Sequence, residues 1–205
     1  MAPRPYRQRL RAESTLDTRR RIIDAVLEQL RHAPTEPVTL DRVAQRARVA
    51  RPTIYTTFGS RAGLFDAVGA DLLHRAGLAG VLAAAEHPDA RAGLRATVHA
   101  VVTLYAAHHD VFRPLYAMAR LDPSTMAGAV QRMENGRAAG MAELCDRLAA
   151  QHLLRPGLTP AAAAHLLWLV TSFETFDLLH TGRDLPVPVT ADLLTGTAEQ
   201  TLCGT

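Results

Sequence analysis

Residues 39–61 read TLDRVAQRARVARPTIYTTFGSR. Thr39 is a good helix N-cap, since its hydroxyl can accept from a backbone N–H that the first turn leaves unpaired. Leu40, Val43, Ala44 and Ala47 then recur at helical spacing and fall on one face, with Arg42 and Arg46 on the other. The spacing predicts a short helix, a turn at Arg48-Val49-Ala50 whose Val49 fills the angle, and a second short helix from Arg51. Pro52 is tolerated there, because backbone N–H groups of a first turn have no helical partner. Ile54 and Phe58, four residues apart, point to the core, while Arg51, Thr53, Tyr55, Thr56 and Thr57 face away. Two short helices across a tight turn, the second with an Arg/Thr/Tyr face, suit a DNA groove; the same face taken alone also suits a plain solvated surface.

The ordered set Thr39, Val43-Ala44, Ala47, Val49, Arg51, Thr53-Ile54-Tyr55, Phe58, Ser60-Arg61 and Leu64-Phe65 resembles the N-terminal DNA-binding domain of the TetR family of bacterial transcriptional regulators. With the helix at Arg19–Arg31, the resemblance covers about the first third of the chain. Beyond it only the general plan, an all-helical domain of suitable length, is similar. Four positions depart from the pattern. Arg48 stands where the family usually has Gly, and a non-Gly residue at positive φ is uncommon. Ala50 replaces a Ser or Thr N-cap, at a cost of about 1 kcal/mol. Pro52 replaces a small residue, and Pro34 replaces a Gly after the first helix. None of the four removes a DNA-facing group.

Composition agrees with this reading. Of 205 residues, 48% are hydrophobic and only 5% aromatic, which suits Ala/Leu/Val helix packing, and no sustained β-branched alternation argues for strands. The expected fold is all-α. Net charge is only +3, yet six arginines fall in the first twenty residues, the footprint of a phosphate-binding module. All 23 basic residues are Arg. That suits bidentate contacts with phosphate and guanine, but a codon bias produces the same composition. Two distant cysteines, Cys145 and Cys203, do not make a disulfide framework, and Cys145 reads as a small core residue. The N-terminus lacks a secretory apolar segment and the longest apolar run, near 166–170, is far below a membrane span, so a cytoplasmic protein without membrane contact is expected.

Three segments are expected. Residues 1–14, with Arg4, Arg7, Arg9 and Arg11 among prolines, form a basic arm, either entering a minor groove or simply solvated. Residues 15–84 form the head: a helix from Thr15 or Asp17 to His32 carrying Ile22, Ile23, Val26, Leu27 and Leu30, the helix-turn-helix, and a connecting helix from Ser60 to about Ala84. Residues 85–205 form the body, entered at Glu86-His87-Pro88-Asp89. Its helices are marked by Asp110 and Asp122-Pro123-Ser124 as caps and by Thr159-Pro160, a cap followed by Pro at the first position. A helix from Thr159 to about His180, apolar almost all round, must be buried on every side.

On the DNA side, Arg51, Thr53 and Thr56 are the candidates for base edges, Arg51 for guanine O6 and N7, with Pro52 at the helix start. Tyr55, Thr39, Arg42 and Arg61 are the candidates for phosphates. The resemblance implies a homodimer through the last two long helices, and Leu166, Leu169, Val170, Phe173 and Phe176 are the expected interface. Such a twofold pair suits a near-palindromic double-stranded operator. Tyr105, His108, Phe112, Tyr116, Met118, Met133 and Trp168 either line a pocket for a largely apolar small-molecule effector or pack as ordinary core. The neighbouring His108, His109 and Asp110 face different ways on a helix, so no metal site is expected, nor any cofactor. A Gly-rich phosphate loop, a nucleophile elbow and metal-ligand spacing are all missing, so no catalytic residue is expected. The reading is a repressor released by its effector. An activator, a ligand-independent regulator, or a helical interaction protein without specific DNA binding stay open.

Overall fold

The structure is a computed structural model of the chain that describes residues 4–121 and 126–204, with side chains from residue 13 onward. Its described residues form helices and turns, with a single isolated bridge between Leu154 and Cys203. The chain divides into two compact units, residues 1–71 with 113–130, and residues 72–112 with 131–205. The Glu86–Asp89 boundary expected from the sequence is a turn inside the second unit.

In the first unit α1 runs Arg4–His32, α2 Leu40–Ala47 and α3 Arg51–Phe58. Helix α1 begins well before the Thr15 or Asp17 start read from sequence. After Pro5, tolerated in a first turn, residues 6–14 hold neither Gly nor Pro to stop a helix. Residues 1–3 of the expected arm lie outside the described residues. Ile22, Ile23, Val26, Leu27 and Leu30 are buried, and α2 and α3 pack on this stripe through Leu40, Val43, Ala44, Ala47 and Ile54. Gly59 at φ +76° lets the chain turn out of α3. Ser60 Oγ then accepts from Gly63 N at 2.9 Å to start α4, Arg61–Arg75.

The connecting helix expected to reach Ala84 is two helices. The chain breaks at Ala76-Gly77, where Gly77 takes φ +94°, and α5 follows over Leu78–Ala85. A glycine inside an apolar helical pattern reads as a tolerated weak point, and here it is the breaker. Asp89 caps α6, Ala90–Ala107, by accepting from the Arg91 and Ala92 backbone N–H groups at 2.8 and 3.1 Å. Helix α7, His109–Leu121, starts one residue before the expected Asp110 cap and crosses from the second unit into the segment 113–130. The Asp122-Pro123-Ser124 cap lies outside the described residues. The remaining helices are α8 (Ala127–Ala150), α9 (Pro160–Val170), α10 (Phe173–His180) and α11 (Val187–Leu202). In the second unit α6 packs against α5 and α11, and α11 also against α9 and α10. Among the described residues no single helix is long and apolar enough to cross a membrane.

The single helix expected from Thr159 to His180 is interrupted at Thr171-Ser172. Thr171 Oγ1 donates back to Leu167 O at 2.7 Å, and Ser172 Oγ accepts from Thr175 N at 3.1 Å as the cap of α10. Arg137 Nη1 donates to Trp168 O and Thr171 Oγ1 at 2.6 and 2.9 Å. The break resets the helical phase, so the two halves present different faces.

Candidate nucleic-acid interface

Helix α2 is built as its sequence implies. Thr39 Oγ1 accepts from Arg42 N at 3.4 Å, and Leu40, Val43, Ala44 and Ala47 are each under a tenth exposed. Arg21 of α1 closes its far end, donating from Nη1 to Ala47 O at 3.3 Å. Arg48 takes the left-handed conformation, φ +53° and ψ +49°, and its N–H group with that of Val49 satisfies the last α2 carbonyls. Val49 is half-buried in the angle. Helix α3 starts from Ala50 with no side-chain cap and with Pro52 in its first turn. Two features that sequence comparison marked as departures, Arg48 and Ala50, are therefore real local penalties. Burial of Val43 and Ile54, both 0% exposed, outweighs them.

The candidate DNA residues do not share one environment. Arg51, Pro52, Tyr55 and Thr56 are exposed on α3, Thr53 is half-buried, and Arg42 and Thr39 are exposed on and before α2. Thr56 and Thr57 hydroxyls donate back to Pro52 O and Thr53 O, at 3.1 and 2.7 Å. Arg61 is half-buried: its Nη2 donates to Val38 O at 3.2 Å and its guanidinium lies 5.6 Å from the centre of the Phe65 ring. That side chain braces the α1–α2 loop. The two exposed arginines are each matched with an acid that sequence reasoning passed over. Arg42 pairs with Glu36, and Arg51 Nη1 donates to Asp41 Oδ1 at 3.1 Å. A hydrogen bond with Tyr55 and then the Asp41 charge hold the Arg51 pKa above its ordinary value. From sequence, an acid in the first turn of α2 reads only as a complement to the helix dipole.

In the second unit three of the expected pocket and interface residues, Trp168, Phe173 and Phe176, stand where the other set was expected. Phe173 and Phe176, expected at a dimer interface, are 3% and 1% exposed and belong to the core. Their rings meet Tyr105 at 5.3 and 5.9 Å between centres, and Tyr105 meets Phe112 edge-on at 5.3 Å. The phase reset at Thr171-Ser172 turns them inward. Trp168, expected in the pocket, is 38% exposed, with the Arg137 guanidinium 5.0 Å from its ring centre. Leu169 is exposed, and Leu166 and Val170 are half-buried. Tyr105 and Phe112 are buried, His108 and Met133 half-buried, while Tyr116 and Met118 lie in the segment 113–130 of the first unit.

A narrow crevice, with no room for a water molecule, is lined by Val98, Val101, Tyr105, Thr171, Phe176 and Leu194 among others. Beside the aromatic cluster, His109 Nε2 lies 2.6 Å from Asp177 Oδ1, which also accepts from Thr181 Oγ1 at 2.7 Å. Among the described residues no group of three or more His, Cys, Asp or Glu is placed to hold a metal ion.

A helix-turn-helix that leaves the outer face of its second helix open defines a DNA-reading head. Residues 22–68 match the sequence model of the bacterial regulatory proteins of the tetR family, and this segment is the TetR-family domain. The whole chain has the fold of a TetR-family transcriptional regulator, all-α with the head followed by a helical domain. It is similar in structure to NalD of Pseudomonas aeruginosa, described as the secondary repressor of the MexAB-OprM multidrug efflux pump, with a TM-score of 0.70 and 22% identity over 93% of this chain and 98% of that one. A TetR family transcription regulator from Marinobacter aquaeolei VT8 gives 0.69 and 15% identity, over 96% of this chain and all of the other. A TetR-like regulator from Rhodococcus sp. RHA1 gives 0.60 and 23% identity, over 88% and 93%. No curated protein sequence matches the chain.

Proposed function

We propose that this chain is a homodimeric, cytoplasmic repressor that holds a near-palindromic DNA operator and releases it when a small, largely apolar effector binds. The observation that carries the DNA part is the outer face of α3, where Arg51, Pro52, Tyr55 and Thr56 stand exposed while Ile54 anchors the helix. Arg51, Thr53 and Thr56 read base edges, and Thr39, Arg42, Tyr55 and Arg61 meet phosphates. Exposed apolar side chains on α9 and α10, Trp168, Leu169 and Leu178, support a subunit interface that includes Leu166 and Val170. Two copies about a twofold axis would carry their α3 helices to successive major grooves about 34–36 Å apart.

The effector reading rests on the apolar crevice beside Tyr105 and Phe176. As it stands the crevice has no room even for a water molecule, whereas most ligand sites enclose roughly 300–1,000 Å³. An effector therefore has to favour a state in which the aromatic cluster opens, and differential affinity for that state is what releases DNA. Binding of the purified protein to its own upstream region and to a random duplex, across a salt series, tests the reading. Preference for a short near-palindrome is the expected result. Equal, weak, steeply salt-dependent binding to both duplexes would reduce the protein to a basic surface that adheres to phosphates.

A further inference from the structure

We propose that Asp41 is a positioning residue for DNA reading: from the first turn of α2 its carboxylate holds the Arg51 guanidinium at the start of α3, aiming its remaining N–H donors at one guanine of each half-site. The inference rests on the DNA-reading role proposed above. Arg51 Nη1 donates to both carboxylate oxygens, at 3.1 and 3.3 Å. A guanidinium carries five N–H donors in one plane, so the donors not taken by Asp41 and by Tyr55 on the same helix are left for the O6 and N7 acceptors of guanine. The ion pair is 53% and 73% exposed on its two sides, where such a pair contributes little to folding. Its effect lies in the side chain it orders. An unpaired arginine gives up rotamer freedom when DNA binds, whereas one already held in place gives up less. Helix α2 and the N-terminus of α3 are also the two parts of a helix-turn-helix that meet DNA, the first at the backbone and the second at the bases. The second exposed pair, Arg42 with Glu36, supplies a control, because it joins α2 to the preceding loop and leaves α3 untouched.

The test is selection from a pool of randomised double-stranded DNA by the wild type, Arg51→Ala, Asp41→Ala, Glu36→Ala and the Arg51→Ala/Asp41→Ala double variant, with thermal melting to check each fold. The wild type should enrich a near-palindrome with a fixed guanine in each half. Arg51→Ala and Asp41→Ala should both lose that guanine, with discrimination falling about tenfold or more. The double variant should lose no more than Arg51→Ala alone. Glu36→Ala should tighten binding to every duplex and leave base choice unchanged, since only a negative charge has gone. If Asp41→Ala keeps the guanine and tightens all duplexes alike, Asp41 merely competes with DNA for Arg51. That result overturns the positioning role and leaves the regulator standing. A wild type that enriches no sequence overturns both.

Discussion

Between α2 and α3 the chain turns through Arg48 at φ +53° and enters α3 from Ala50, which has no group to cap it. Between α9 and α10 it turns through Thr171 and Ser172, where hydroxyls of Thr171, Ser172 and Thr175 and the Arg137 guanidinium take up the loose backbone groups. The first turn is poor in local chemistry and well packed; the second is rich in local hydrogen bonds and lies beside exposed Trp168 and Leu169. A left-handed non-Gly residue costs about 1–2 kcal/mol and a missing cap about 1 kcal/mol. Burying a Val or Ile side chain returns about 1.5–3 kcal/mol each, and Val43 and Ile54 are fully buried here. The head can thus carry an imperfect turn because its neighbours fix the helix angle. The body's break is itself buried at Thr171 and Ser172 and adds to that packing hydrogen bonds from its own hydroxyls and from Arg137 on α8.

The largest effect expected is from Ile54→Ala, which should lower the stability of the head by about 2–5 kcal/mol in chemical unfolding. A loss below about 1 kcal/mol would show that packing is not what holds the first turn. Next comes Arg51→Ala, which should leave melting unchanged and remove roughly 1–3 kcal/mol of discrimination between operator and random duplex. Equal loss on both duplexes would move Arg51 to the phosphate contacts. Ser172→Ala should cost about 1 kcal/mol, and an unchanged unfolding midpoint would mean that Arg137 and tertiary packing hold the second turn without the cap. Smallest is Arg48→Gly, with a gain of up to about 1 kcal/mol, because relief of the left-handed strain is partly offset by the greater freedom of an unfolded glycine. A measured loss would mean that the Arg48 side chain stabilises the turn in a way its backbone does not reveal.

Much of the head was legible because its signals are local and periodic. Thr39 caps α2 as its residue type implies, and every apolar position of its stripe is buried. The Thr159 cap of α9 was legible for the same reason: its hydroxyl accepts from Ala162 N at 3.3 Å. Cys145, read as a small core residue, is buried, and loss of water pushes its thiol up to about 12. The body was less legible. Its residues 159–180 carry one long apolar run, and Thr171-Ser172 inside it reads equally as two tolerated polar residues or as a stop and a cap.

Periodicity reports which residues share a face within one helix, so hydrophobic spacing and cap residues pointed to an all-α chain, while the helix-turn-helix reading of the head also needed the resemblance of its motif to a known family. It carries no information about how the phase shifts across a break. The turn at Thr171-Ser172 sent Phe173 and Phe176 into the core and Trp168 to the surface, opposite to their expected places. Pairs formed between helices are equally invisible, as with Arg51 and Asp41, ten residues apart, or His109 and Asp177, 68 residues apart and in contact beside the body's aromatic cluster. Those partners meet only once packing has set the angle between their helices, because an ion pair forms over a few ångströms and no residue spacing encodes that distance.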